Sequence, residues 1–157
     1  MLTEAAAQGH MEAQACLGDK YYFGSGVWYG AAQDYDRAFD LYRQAAQQGR
    51  AASQYNVGTM YRDGLGCEQS YEQAAEWWAK AAEQGQVDSQ YNLARAYQEG
   101  AGVPQSYERA FELWKLSEAQ GYPHATSPLG RCYGRGEGVD QSFAEARRLY
   151  ELAVARG

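Results

Sequence analysis

Gly9, Gly49, Gly85, Gly121 and Gly157 stand 40, 36, 36 and 36 residues apart, and the chain between them repeats itself. Nine residues after each marker comes Gly18, Gly58, Ala94 or Gly130, and three later Tyr21, Tyr61, Tyr97 or Tyr133. The glycine pairs Gly24/Gly26, Gly64/Gly66, Gly100/Gly102 and Gly136/Gly138 follow. Then come Ala38, Ala74, Ala110 and Ala146, and four residues on Tyr42, Trp78, Trp114 and Tyr150. The first copy joins this register once four extra residues are allowed between Trp28 and Asp34. A unit of this length is one supersecondary element that cannot bury its apolar face alone, so it must stack on its neighbours.

Each unit reads as helix, turn, helix. Helix A fills about 13 residues before the glycine pair, with large residues four apart on one face, as at Val57 and Tyr61 or Leu93 and Tyr97. The first glycine of the pair suits the left-handed residue that ends a helix. Helix B opens at Ser70, Ser106 or Ser142, each a good N-cap. Ser70 with Gln73 and Ser142 with Glu145 match the capping box. The marker glycine ends helix B. Composition agrees: there is no Ile, six Val and three Thr against 27 Ala, which favours helix over strand. A glycine inside helix A points to a close crossing by helix B, with the recurrent Ala as its other half, so Gly58→Leu is expected to destabilise. Pro128 is expected to shorten or kink the last helix A, or to start it late from Ser127. The aromatics Tyr42, Trp77, Trp78, Trp114 and Tyr150 are expected to pack between adjacent repeats.

The stretches Ala13 to Val27, Ser89 to Val103 and Ala74 to Gly85 resemble the Sel1-like repeat, a relative of the tetratricopeptide repeat. The pattern they follow is A-x-x-x-L-G-x-x-Y-x-x-G-x-G-V, then A-x-x-W/Y-x-x-A-A-x-x-G. Ala94 in place of a glycine, Cys67 in place of a valine and Pro128 are departures. The resemblance implies an all-α fold, a right-handed α-solenoid of stacked antiparallel helix pairs. It also implies a non-catalytic scaffold or adaptor that binds a protein or peptide, in a bacterial setting, such as an immunity or chaperone partner of a secreted effector. The repeat boundaries expected are 9–48, 49–84, 85–120 and 121–157, with 1–8 as the end of a partial helix B. Neither end looks like a polar cap, so a longer parent array is expected, with end-to-end self-association as the alternative.

Other functions find little support. Net charge is -6, so there is no general electrostatic footprint for nucleic acid. No apolar run is long enough to span a membrane. The opening residues lack the basic and apolar regions of a secretion signal. The glycine pairs lack the strand and lysine of a phosphate loop. His10 and His124 have no second histidine at helical spacing, so no metal is expected, and no cofactor. Cys16, Cys67 and Cys132 fit no zinc or disulfide spacing, which favours a reducing compartment. The cytoplasm is therefore expected, or the periplasm if an N-terminal segment is missing. Cys67 holds the slot of Val27, Val103 and Val139 and reads as a small buried apolar residue. Some cysteine-rich members of the family carry cysteines seven apart in each repeat and are associated with β-lactam binding. That spacing is absent, yet a β-lactam-binding or hydrolase-like protein stands as the alternative reading.

By analogy with the tetratricopeptide fold, helix A should line a concave binding face. Slots that vary between repeats place Asp19, Tyr22 and Phe23 on it, then Tyr55, Thr59 and Arg62. Tyr91, Arg95 and Gln98 follow, then Arg131 and Arg135. Such a face would be acidic and aromatic at one end and basic at the other, orienting a peptide with its basic part toward Asp19. Trp28 and Tyr29, in the expanded turn of the first repeat, form a second candidate contact, or else a hydrophobic lid over that end of the stack.

Overall fold

The computed structural model describes residues 1–24 and 32–156, and among them every regular element is a helix. In order these are α1 (Leu2–Ala7), α2 (Met11–Phe23), α3 (Tyr35–Gln47), α4 (Ala51–Asp63), α5 (Tyr71–Glu83), α6 (Val87–Glu99), α7 (Tyr107–Ala119), α8 (Pro123–Arg135) and α9 (Phe143–Arg156). The chain forms two compact units, Met1–Gln84 and Gly85–Gly157. Within each, every helix packs against the next one in sequence.

The start and stop signals are local. Asp34, Ser70, Ser106 and Ser142 each accept, through a side-chain oxygen, the backbone N–H three residues on. Gly64, Gly100 and Gly136 close α4, α6 and α8 in the left-handed conformation. The reciprocal half of the capping box does not form. The N–H groups of Ser70 and Ser142 are already taken by the carbonyls of Tyr61 and Tyr133, at 3.0 and 2.9 Å. Gln73 therefore turns to Glu76, and Glu145 to Arg148. The same N-cap-to-tyrosine bond joins Asp34 to Tyr21 and Ser106 to Tyr97, so the recurrent tyrosine marks where the chain folds back.

Contacts within a pair run in opposite directions along its two helices, which makes the pairs antiparallel. In the first unit Gln14 meets Gln44 and Gln48, Gly18 meets Tyr42, and Tyr21 meets Asp34. The close crossing is real, but its second half is an aromatic ring. A Cβ on Gly18 would lie 2.8 Å from Tyr42 Cδ1, one on Gly58 2.6 Å from Trp78 Cδ1, and one on Gly130 3.1 Å from Tyr150 Cε1. At Gly58 the carbonyl of the recurrent Ala74 is also near, at 3.0 Å. The rings thus lie first over their own repeat. Tyr42 still shares a core with Val57 and Met60 of the next helix A, as expected of inter-repeat packing.

Two of the second glycines of the pairs, Gly66 and Gly138, serve a different contact. A Cβ at Gly66 would run into the carbonyl of Tyr35, and one at Gly138 into that of Tyr107. Only a residue without a side chain lets the turn sit on the first residue of the preceding helix B. Two expectations fail here. Cys67 is half-buried rather than buried. Helix α8 runs unbroken over Pro123–Arg135, the same 13 residues as α2, α4 and α6, and does not start at Ser127. Pro128 removes the N–H that would reach His124, but His124 is exposed, so its carbonyl is open to water. Ala125, Leu129 and Cys132 hold the helix in the core on either side of the proline.

Candidate functional site

In the first unit, α2 and α4 bring their variable faces together around a cavity of about 350 Å³. Asp19, Tyr22, Phe23, Tyr55 and Thr59 line it, all five expected on the binding face, together with Tyr42 and Asn56, which were not. Tyr42 reaches the cavity from α3 because its ring must lie over Gly18, and its hydroxyl then donates to Asp19 Oδ1 at 2.7 Å. Burial and this bond hold the Tyr42 phenol well above its ordinary value. Tyr22 is packed edge-on to Phe23 (5.0 Å) and Tyr35 (5.4 Å), and burial raises its phenol too. Phe23 is 73% exposed. Arg62 lies outside the cavity lining. It binds Asp63 through two nitrogens at 2.7 and 2.8 Å and sits over the Trp78 ring.

The second unit gathers its expected residues differently. Tyr91 packs against Tyr122 at 5.4 Å and His124 at 6.5 Å. Arg95 pairs with Glu99 at 3.3 Å, and the Gln98 carbonyl accepts from Gln105. Arg131 lies over the Trp114 ring, and both it and Arg135 converge on Glu137, at 3.7 and 3.4 Å. The basic slots of this unit therefore carry their own carboxylates. Trp28 and Tyr29 lie outside the described residues.

A second feature went unread in the sequence. Gln14 and Gln54 are buried on helix A, and each donates to a carbonyl of the preceding helix B, Ala6 and Ala46. Gln54 accepts from Gln84, and in the second unit Gln90 accepts from Gln120. In the last repeat Thr126 and Arg156 replace this pair at 3.0 Å, with Glu118 completing it. The signal was there: a glutamine five residues after three markers and another just before four of them.

The chemistry available is recognition rather than bond-making. Cys16 is exposed and Cys132 buried, and all three thiols are free. Burial pushes the Cys132 thiol up to about 11 and raises that of Cys67, the reverse of what an activated nucleophile needs. Among the described residues no group of three or more His, Cys, Asp or Glu could hold a metal. No described helix is long and apolar enough to cross a membrane.

Helix pairs repeated in register, with variable side chains gathered on the helix A faces, define a helical-repeat scaffold protein. The Sel1 repeat model matches residues 12–49, 51–86, 87–122 and 125–157, and the chain belongs to the Sel1 repeat family. The chain resembles the crystal structure of c5321, a protective antigen of uropathogenic Escherichia coli displaying an SLR fold. They are 33% identical with a TM-score of 0.91, over 99% of this chain and 32% of that one. A Sel1 repeat protein from Oxalobacter formigenes is 28% identical with a TM-score of 0.86, over 99% of this chain and 61% of that one. Among curated proteins, HRD3A of Arabidopsis thaliana, an ERAD-associated E3 ubiquitin-protein ligase component, is 36% identical over 62 residues. That match covers 40% of this chain and 9% of HRD3A. The chain thus spans less than two thirds of each of these relatives.

Proposed function

We propose that the protein binds a protein or peptide partner through the exposed faces of its A helices and performs no chemistry of its own. The observation that carries this is the α2–α4 cavity, where five variable-slot residues meet around one opening. Side chains that serve packing alone recur between repeats, whereas none of these slots keeps one residue type through all four repeats. The narrower role is a bacterial adaptor acting as immunity or chaperone partner of a secreted effector, and the two similar bacterial proteins support that setting. Three free thiols support the cytoplasm. The test is retention of a partner from native lysate, its identification, and affinity measurement with Tyr55→Ala and Arg95→Ala variants of unchanged helicity. Tyr and Arg are common hot-spot residues, where truncation costs at least about 2 kcal/mol. If both variants bind within about threefold of the parent (less than 1 kcal/mol), the partner sits elsewhere, and Trp28 and Tyr29 become the candidates.

A further inference from the structure

We propose that the α2–α4 cavity is a receptor for a cationic side chain, an arginine or lysine of the bound partner. This rests on the binding role given above and names the chemistry of one of its contacts. The cavity is walled by the rings of Tyr22, Phe23, Tyr42 and Tyr55, with one carboxylate, Asp19, among them. Aromatic faces carry negative potential that attracts a cation within about 6 Å, and a carboxylate beside them adds a directed, charge-assisted acceptor. Tyr42 donates to Asp19 Oδ1, and this bond orients a carboxylate that lines the cavity. The ion pairs of this unit use Glu4, Glu12, Asp34, Asp40 and Asp63; Asp19 forms none with any described residue. No cation among the described residues pairs with it: Arg50 and Arg62, whose charges act on Tyr42 and Tyr22 from further off, are held by Glu12 and Asp63. Thr59 also lines the cavity, with its Oγ1 buried and without a hydrogen-bond partner among the described residues.

The register sets this carboxylate apart from the other repeats. The slot of Asp19 holds Thr59, Arg95 and Arg131 in the later repeats, so the acid occurs once and the last two copies reverse its sign. Those arginines are paired with Glu99 and Glu137 of their own unit. The bond to Tyr42 is likewise confined to this repeat among the first three, since Trp78 and Trp114 stand in the Tyr42 slot of the next two.

The test is a ¹H–¹⁵N titration of the whole chain with Nα-acetyl-arginine amide and with the citrulline analogue, which has nearly the same shape without the charge. The arginine probe is expected to shift the amides of Asp19, Tyr22, Tyr55, Asn56 and Thr59, and to bind about tenfold tighter than citrulline. The Asp19→Asn variant, whose amide oxygen still accepts from Tyr42, keeps its fold and is expected to lose that preference. Equal response to both probes, shifts confined to other residues, or a preference unchanged in Asp19→Asn would each overturn the proposal. Its failure is separable from that of the binding role. A natural partner that tolerates Asp19→Asn but is lost with Tyr55→Ala removes the cation receptor and leaves the scaffold standing.

Discussion

Arg156 donates from Nη1 to Thr126 Oγ1 at 3.0 Å, in the position where the preceding repeat joins Gln120 to Gln90. The two exchanges belong together, because a shorter acceptor on helix A needs a longer donor on helix B to span the same gap. Glu118 Oε1 accepts from the same Nη1, also at 3.0 Å. Thr126 is fully buried, so removing its donor leaves a hydroxyl without a partner. Arg156→Ala is expected to lower stability to urea unfolding by about 1–2 kcal/mol. The paired exchange Thr126→Gln with Arg156→Gln rebuilds the glutamine link and is expected to recover most of the loss. A double variant no more stable than Arg156→Ala would show that this pairing does not hold the last helix.

The helical glycines differ in the space beyond them. Gly58→Leu forces a branched side chain into the Trp78 ring, and overpacking of this kind costs about 1–3 kcal/mol, more than the helix propensity gained. Gly134 faces only the Ala146 Cβ, at an ordinary 3.6 Å. Gly134→Ala is therefore expected to raise stability, by about 0.5–1 kcal/mol. Thermal melting of the two variants beside the parent checks both signs.

In the turn between α4 and α5 the two glycines carry unequal demands. Gly64 and Gly66 both have φ near +67°. At Gly64 an added Cβ meets nothing nearer than 3.4 Å, so Gly64→Ala bears only the left-handed strain of about 1–2 kcal/mol. Gly66→Ala also drives a methyl into the Tyr35 carbonyl. Its melting temperature is expected to fall well below that of Gly64→Ala, and similar values would place Gly66 away from α3.

Alkaline stability follows from Cys132. Its thiol ionises near 9 when unfolded and is pushed up to about 11 in the fold, where burial is the first cause. Above pH 9 this thiol binds fewer protons in the unfolded chain than in the native one, so its contribution to stability is constant below that pH and falls as pH rises toward 11. It does so alongside those of the raised Tyr42 and Tyr22 phenols and Cys67 thiol. Cys132→Ala starts lower, because it leaves a small cavity, but its urea midpoint is expected to decline less between pH 9 and 11. Parallel curves for parent and variant would remove the thiol from the alkaline transition.

The serine N-caps, the left-handed glycines and the helix pairs were legible because each depends on neighbours a few residues away. A Ser that accepts the N–H three positions on needs no distant partner, and a positive φ selects Gly wherever the turn falls. The close crossing at Gly58 was legible too, since an ill-suited glycine kept in register signals a missing side chain. What filled the space was legible only in part, because the Trp78 ring lies over it beside the expected Ala74, whose carbonyl is at 3.0 Å.

The sequence by itself determined the period, the helical class and the ends of the helices, all of which rest on spacing along one chain. Only the tertiary structure decided the fate of polar and charged side chains, because hydrogen-bond partners about 30 residues apart are invisible to local rules. Gln54 reads as a surface residue until Gln84 and the Ala46 carbonyl are placed beside it. Arg131 and Arg135 read as open cations until Glu137 meets both. Asp19 reads as one more acid until the Tyr42 ring, drawn over Gly18, brings a hydroxyl to it in the lining of a cavity.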